Sequence, residues 1–344
     1  MTHTFFDDQG DAHGPIEAAA AGEELVRLGR LLPDRVFLGT SSWSFPGWRG
    51  LVYEHEYTEA RLAREGLLAY SRHPLLRAVG IDRGYYQALA AADWVRYARQ
   101  VPDEFRFVVK APSLITDAVT RGPAQSDRQE AYVNPHFLDA SYASERFVLP
   151  TLEGLGVKTG PLVLQFAPMP SGLTRDAHAL IERIADFLAK LPTSHAGVRP
   201  VYAVEIRNPE LLTPRFVHRL RECGARLCLG IHARMPGAAR QAAALRTMDD
   251  PAPQAETWTL AGPLVVRWSL HAGLGYDQAR TRYAPFNRLL DADVVTRGTL
   301  VHLLRVAVRS GQSAFVMVNN KAEGCAPLSC LELARALAVR ASDD

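Results

Sequence analysis

The chain is poor in lysine and cysteine, and it carries no marked excess of charge. Lysine occurs at only four of the 344 positions, so most of the 39 basic residues are arginine. The formal net charge of +2 does not by itself indicate a nucleic-acid-binding surface. No apolar run is long enough to cross a bilayer, and no basic region precedes an apolar stretch at the N-terminus. These absences predict a cytoplasmic protein without a membrane segment.

The four cysteines form two pairs of equal spacing, Cys223 with Cys228 and Cys325 with Cys330. Neither pair has the two-residue gap that is usual in zinc sites. Cys228 lies inside an apolar run, where a free cysteine behaves as a small hydrophobic residue. Disulfides are not expected in a reducing compartment. Because the histidines are also scattered, we predict no bound metal and no other cofactor.

Short apolar runs alternate with amphipathic segments from residue 34 onward. Eight runs predict β-strands: VFLGT from Val36, LLRAVGI from Leu75, FRFVVK from Phe105, PLVLQF from Pro161, VYAVEI from Val201, ARLCLGI from Ala225, LVVRWSL from Leu264 and AFVMVNN from Ala314. The segments between them have the apolar spacing of helices. Eight such repeats predict the α/β class and a single (β/α)8 TIM-type barrel domain over residues 34–344.

Two segments lie outside this alternation. Residues 1–33 are rich in Ala, Asp and Gly and include a possible helix over residues 16–32. We expect them to form an N-terminal extension that packs on the barrel or is partly disordered. Residues 113–160 exceed an ordinary connection, so they predict a structured insertion over the barrel mouth after strand three.

Several helix boundaries have recognisable signals. Thr213 predicts an N-cap, with Pro214 in the first turn and Gly224 as the stop. Thr174 predicts the N-cap of the helix that follows strand four.

Aromatic residues occur in the polar loop after the first strand. Trp43 follows that strand directly, so we expect it at the barrel mouth, facing a ligand. Trp48 and Tyr53 are expected to pack the loop itself.

Polar residues occur where the predicted strands end, and barrel enzymes place their chemistry at these ends. The predicted site residues are Trp43 after strand one, Asp82 and Tyr86 after strand two, Lys110 at the end of strand three, Gln165 in strand four, Glu205 and Arg207 in strand five, Arg267 and His271 in strand seven, and Asn319 and Asn320 at the end of strand eight. We expect these side chains to converge on one pocket.

Glu205 and Lys110 are the predicted catalytic residues. Glu205 would act as general acid or base, and Lys110 as an electrophilic or proton-transfer group or as a Schiff-base lysine. Arg207 and Arg267 would hold an anion. We expect Glu205→Gln to abolish ligand binding with little loss of stability.

Alternative readings remain open for several of these residues. Glu205 and Arg207 share one strand face and could form a structural ion pair. Asn319 and Asn320 could cap a helix or form a turn. A metal held by Asp82, Glu205 and His271 is a further, disfavoured alternative.

An ordered set of motifs resembles the YecE-like family, domain of unknown function 72. The motifs are GTSSWSFPGWRGLVY, VPDEFRFVVKAP, GPLVLQFAP, YAVEIRNPE and VMVNN. The resemblance implies a (β/α)8 barrel and brings no established reaction with it. The family pattern is matched at Gly39, Trp43, Trp48, Lys110, Gln165, Glu205, Arg207, Asn319 and Asn320.

The resemblance is imperfect at three places. Gly80 stands where the family usually has a glutamate, and Asp82 stands where it usually has an asparagine. Ser269 takes the place of a histidine, and His271 follows two residues later. Ser329 replaces an asparagine near the last helix. These departures suit a divergent member with altered or lost activity.

The leading functional prediction is a hydrolase or lyase that acts on a small anionic, sugar- or nucleotide-like substrate. Arginine and lysine would supply charge, and aromatic rings would supply stacking area. The alternatives are a non-catalytic ligand-binding barrel, and phosphodiester chemistry on nucleic acid by analogy of fold.

Overall fold

Eight parallel strands close into a barrel. The computed structural model describes residues 14–121, 131–250 and 258–339. The barrel strands are β1 Val36–Thr40, β2 Leu76–Ile81, β3 Arg106–Lys110, β4 Thr159–Gln165, β5 Tyr202–Glu205, β6 Arg226–Ile231, β7 Leu264–Trp268 and β8 Ala314–Val318. Each strand pairs with its neighbours in the chain, and β1 also pairs with β8. The predicted TIM-type barrel is therefore confirmed, with every predicted strand present.

Helices surround the strands. The α-helices are Glu23–Leu31, Glu59–Glu65, Leu67–Ser71, Ala91–Ala98, Ser113–Thr116, Ala140–Ala143, Leu149–Leu155, Ser171–Thr174, Ala177–Ala189, Pro214–Glu222, Ala238–Asp249, Tyr276–Tyr283, Val294–Arg309 and Ala326–Ala338. No helix within the described ranges is both long and apolar enough to span a membrane.

The barrel interior is apolar in its middle layer and polar near the C-terminal ends of the strands. Side chains alternate between the two faces of a strand, so every second residue points inward. The inward apolar cluster consists of Phe37, Ala78, Val108, Val163, Ala203, Cys228, Val265, Phe315 and Met317. Two residues nearer the strand ends, the inward positions are Lys110, Gln165, Glu205 and Arg267. The period of two thus puts four predicted site residues directly above the core.

Helix boundaries follow the expected signals with one exception. The Thr213 side chain accepts a hydrogen bond from Phe216 N, and Gly224 ends the helix region with a φ of +70°. The prediction for Thr174 is wrong, because Asp176 caps the helix Ala177–Ala189 by accepting from Ala179 N at 2.9 Å. Thr174 instead ends a separate short helix.

The two additional segments pack on the barrel. The N-terminal helix begins at Glu23, later than the predicted helix over residues 16–32. Before it, extended chain lies along the loop after β1, where Ala19 N donates to Val52 O. The insertion after β3 contains an antiparallel ribbon, formed by Val119–Arg121 and Ala131–Val133. It also contains the helix Leu149–Leu155. Residues 1–13 and 122–130 lie outside the described residues.

Gly154 allows two helices to approach closely. A Cβ atom at Gly154 would lie 2.3 Å from Trp94 Cβ and 2.5 Å from Ala91 O. We expect Gly154→Ala to lower the free energy of unfolding by about 1–3 kcal/mol, because the added methyl group overpacks a rigid contact. Urea denaturation measures the change.

Gly298→Ala is the matched control. Gly298 lies exposed within the helix Val294–Arg309, and nothing is within 4 Å of an added Cβ. Alanine should stabilise that helix by about 0.5–1 kcal/mol. Equal effects of the two substitutions would contradict the close packing at Gly154.

Candidate functional site at the barrel mouth

A buried carboxylate lies at the centre of the mouth. Glu205 is 0% exposed, and its two oxygens contact two arginines. Oε2 accepts from Arg267 Nη1 at 2.6 Å, and Oε1 lies 2.5 Å from Arg207 Nη2. The three side chains form the ion network to which the rest of the mouth is attached.

Both terminal nitrogens of Arg267 bond to protein groups. Its Nη2 donates to both oxygens of Asp82, at 2.9 and 2.8 Å. Its Nη1 donates to Gln165 Oε1 at 2.8 Å as well as to Glu205. Arg267 therefore holds three predicted site residues together through its two terminal nitrogens.

A glycine on the neighbouring strand makes room for the carboxylate. An added Cβ at Gly230 would lie 2.7 Å from both Cγ and Oε1 of Glu205. Gly230 is the inward residue of β6 at the level of Glu205, so only a residue without a side chain fits there.

The arginines determine the charge of Glu205. Burial by itself raises the pKa of Glu205, but the charges of Arg267 and Arg207 reverse this and bring the pKa below its ordinary value. Burial lowers the pKa of Arg267, whereas Asp82 and Glu205 raise it above its ordinary value. Both groups are ionised at neutral pH, so Glu205 is poorly suited to exchange protons.

Lys110 lies beside this network but is not part of it. Its Nζ lies 3.5 Å from the ring centroid of Tyr85. Within the described ranges, Nζ has no hydrogen-bond acceptor and no salt-bridge partner. Burial is the main cause that lowers the pKa of Lys110 to about 8, with Asp82 acting in the opposite direction. A substantial fraction of this amine is therefore neutral near physiological pH.

A tyrosine and a carboxylate complete this side of the mouth. Tyr85 donates its hydroxyl proton to Asp117 Oδ2 at 2.6 Å. Burial raises the pKa of Asp117, and Oδ1 of the same carboxylate is buried with no hydrogen-bond partner among the described residues. Lys110 is one of the charges that act on this carboxylate, and it lowers the pKa.

A cleft of about 430 Å³ opens beside the network and shares Tyr85 with the Lys110 side of the mouth. Its lining consists of Tyr85, Gln165, Ala167, Pro168, Arg207, His232, Ala233, Arg234, Leu270, Leu274, Gly275 and Tyr276. Burial, reinforced by Arg207, lowers the pKa of His232 to about 4, so its ring is neutral at pH 7. Among the described residues, the lining includes no acidic side chain, which makes the cleft suitable for an anion.

The aromatic residues predicted for the site lie elsewhere. Trp43 is buried, its Nε1 donates to Leu62 O at 2.8 Å, and its ring packs edge-on against Tyr97. Its indole stabilises the loop after β1 and does not line the cleft. Tyr86 is 88% exposed and contacts the ring of Tyr85.

The residues after the last two strands have mainly structural contacts. Asn320 Oδ1 accepts from Ala326 N at 2.8 Å, at the start of the last helix, and also from Trp48 Nε1. Asn319 Nδ2 donates to Ser41 Oγ at 2.7 Å. His271 Nδ1 lies 2.6 Å from Ala272 O, on the rim.

Two polar residues of the mouth, Asp117 and His232, are not among the site residues predicted from the sequence. Asp117 lies seven residues beyond β3, in the insertion, where no strand pattern indicates its position. His232 follows β6 directly, and its inward register with Cys228 and Gly230 could have identified it. No group of three or more His, Cys, Asp or Glu side chains that could hold a metal occurs in the described part of the chain.

The geometry changes the expectation for Glu205→Gln. The substitution leaves Arg207 buried without its counter-charge, and breaking such a pair typically costs about 3–5 kcal/mol. We therefore expect a loss of this size in chemical denaturation at pH 7. The difference from the wild type should shrink as the pH falls, because a carboxylate with a lowered folded pKa stabilises the fold only while it is ionised.

Glu24→Gln provides the matched control on the surface. Glu24 forms a salt bridge with Arg335 at 2.8 Å, but both side chains are exposed. Solvent screens this pair, so its loss should leave the denaturation midpoint unchanged. An equally small effect of Glu205→Gln would show that the buried network is not required for stability.

Comparison with known proteins agrees with this architecture. A DUF72 family protein of Enterococcus faecalis has 19% sequence identity and a TM-score of 0.53, over 88% of this chain and 95% of that chain. A DUF72 family protein of Thermotoga maritima has 17% identity and a TM-score of 0.52, over 88% and 98%. At these identities the likeness concerns the fold alone. No curated protein matches the chain.

The family profile described as "Protein of unknown function DUF72" matches residues 37–343, which is nearly the whole barrel. The chain therefore belongs to the DUF72 family.

Proposed function

We propose that the protein is a lyase-type enzyme that acts on a small anionic carbonyl compound, with Lys110 as the amine nucleophile. The observation that carries this proposal is the state of Lys110. Its ammonium group is mostly withdrawn from water and has no carboxylate partner in the described residues. A buried charge without a partner is costly, and a lysine in such surroundings is neutralised readily and becomes nucleophilic.

The pKa of Lys110 is compatible with this role. With a pKa of about 8, roughly a quarter of the amine is neutral at pH 7.5, against about 0.1% for an ordinary lysine. Burial lowers this pKa most, Asp82 opposes the fall, and the nearby arginines add to it. The ion network thus adjusts the lysine without a direct contact to it.

The proposed step is imine formation. The Nζ lone pair attacks the carbonyl carbon, and the carbonyl oxygen takes up protons and leaves as water. In a β-hydroxy carbonyl substrate, the β-hydroxyl loses its proton and the β-carbon leaves as an aldehyde, while the electron pair of the bond between the α- and β-carbons passes to the iminium and forms an enamine, which is the lyase step. The enamine carbon then takes up a proton, and water hydrolyses the resulting iminium, which releases the second carbonyl product and restores the free amine.

Asp117 and Tyr85 supply proton transfer in this proposal. The carboxyl of Asp117 has a raised pKa and is linked to the Tyr85 hydroxyl at 2.6 Å. It can therefore exchange a proton with the departing oxygen. In this proposal Glu205 holds Arg207 and Arg267 in position, whereas the sequence predicts it as a general acid or base.

A non-catalytic binding barrel would use the same cleft without forming a covalent bond. The two functions differ in one observable, a covalent adduct on Lys110. Ligand binding without an adduct would favour the non-catalytic alternative.

Reductive trapping tests the proposed chemistry. Incubation with pyruvate or glyceraldehyde 3-phosphate and cyanoborohydride should convert the imine into a stable secondary amine on Lys110. Mass spectrometry of proteolytic peptides should locate the adduct there, and Lys110→Met should abolish it. The rate of trapping should rise with pH through about 8, because the neutral amine is the reactive form and its pKa is lowered to that value.

Lys190 provides the internal control, because it is an exposed lysine that caps a surface helix. Any adduct on Lys190 reports non-specific reaction at an ordinary amine. Equal labelling of Lys190 and Lys110 across a panel of aldehydes and ketones would contradict the proposal.

A further inference from the structure

We propose that Arg207 and His232 form a carboxylate-binding subsite in the mouth cleft, and that the ligand is an oxo acid. The presence of a carboxylate group on the ligand is argued from the cleft itself. The presence of a carbonyl group rests on the proposed function of Lys110, so the two claims can fail separately.

One terminal nitrogen of Arg207 bonds within the protein, and the other does not. Its Nη2 lies 2.5 Å from Glu205 Oε1 and donates to Gln165 Oε1 at 3.4 Å. Its Nη1 is buried and has no acceptor among the described residues. Arg207 is only 8% exposed, yet it lines the cleft. A buried guanidinium nitrogen without an acceptor is destabilising unless a ligand supplies one.

His232 offers a second donor of defined tautomer. The backbone N of Arg234 donates to His232 Nδ1 at 3.2 Å, so Nδ1 carries the lone pair. The proton of the neutral ring is then on Nε2. Burial and the charge of Arg207 lower the pKa of His232 to about 4, which keeps the ring in this neutral form at pH 7. His232 lines the same cleft as Arg207.

The charges of the mouth favour a single negative charge on the ligand. Asp82 and Glu205 balance Arg207 and Arg267, because each carboxylate contacts an arginine. Lys110 remains as the one unbalanced charge of this group, and the iminium formed from it is also a cation. A carboxylate monoanion neutralises it, and two N–H donors match the two oxygens of a carboxylate.

The walls of the cleft suit the rest of a small organic acid. Tyr85 and Tyr276 contribute aromatic surface, and Leu270 and Leu274 contribute aliphatic surface. A volume of about 430 Å³ accommodates a short carbon chain together with the carboxylate. A ligand anchored in this way extends past Tyr85, the residue whose ring covers Lys110.

Binding of a simple carboxylate tests the subsite independently of any chemistry. Ligand-observed saturation-transfer NMR with propanoate, which has no ketone or aldehyde group, measures affinity in the wild type and five variants. We expect Arg207→Lys and His232→Leu each to weaken binding by about tenfold or more, since each removes a hydrogen bond to a charged group. Lysine keeps the charge beside Glu205, but its single nitrogen cannot also serve the ligand.

Two further variants act as controls. His232→Gln retains an N–H donor and should stay within about threefold of the wild type, and His232→Leu leaves the Glu205 contacts untouched if Arg207→Lys proves unstable. Arg280→Gln removes an exposed charge from the helix Tyr276–Tyr283 outside the cleft lining, and it should change affinity by less than about threefold at physiological salt.

The outcomes separate the two proposals. Undiminished propanoate binding by Arg207→Lys and His232→Leu overturns the subsite, whatever the trapping experiment shows. Tighter binding of inorganic phosphate than of propanoate overturns the assignment to a carboxylate. Lys110→Met should still bind propanoate. If 4-oxopentanoate and pyruvate bind competitively with propanoate but leave no adduct on Lys110, the subsite stands and the proposed lyase chemistry fails.

Discussion

The ionisation of one buried carboxylate organises the mouth of this barrel. Glu205 is withdrawn from water and compensated by Arg207 and Arg267, the second of which also binds Asp82 through two hydrogen bonds. Placing a carboxylate there without both arginines would be prohibitively unfavourable. Each arginine is in turn held in one orientation by the carboxylate. The network therefore gives the mouth a fixed geometry, and its charges act on the pKa values of the polar groups around it.

Lys110 and Arg207 are both influenced by the ion network, but each has a nitrogen that does not bond to it. Lys110 is near enough to be influenced by Asp82 and Arg267 but contacts neither, so burial is the dominant influence on its pKa. Arg207 uses Nη2 within the network, and its Nη1 has no acceptor among the described residues. Arg267, in contrast, bonds within the network through both terminal nitrogens. The proposed ligand site rests on the Nζ of Lys110 and on the Nη1 of Arg207.

The fold could be predicted from the sequence, whereas the site could be predicted only in part. Eight apolar runs with a period of two determine which residues face inward, and this is sufficient to place Glu205 and Arg267 in the mouth. The pattern does not reveal whether an inward polar group meets a ligand or another side chain. For this reason the sequence predicts Glu205 as catalytic and Trp43 as a ligand-facing residue, whereas Glu205 contacts two arginines and Trp43 is buried. The sequence does not indicate Asp117, because it belongs to an irregular insertion whose path depends on tertiary packing.

The departure from the family pattern in β2 has a physical explanation in the network. Gly80 and Asp82 lie on the same inward face, one step of the strand period apart. A side chain at Gly80 would start 3.1 Å from Ser41 Cα, so this chain has little space for a carboxylate at that level. Asp82 provides the carboxylate one step nearer the mouth opening and binds Arg267 from there. Asp82 thus supplies a carboxylate in place of the glutamate that the family resemblance implies at position 80. It follows that Gly80 does not by itself indicate lost function, because Arg267 remains compensated and Lys110 still has a carboxylate to limit the fall of its pKa.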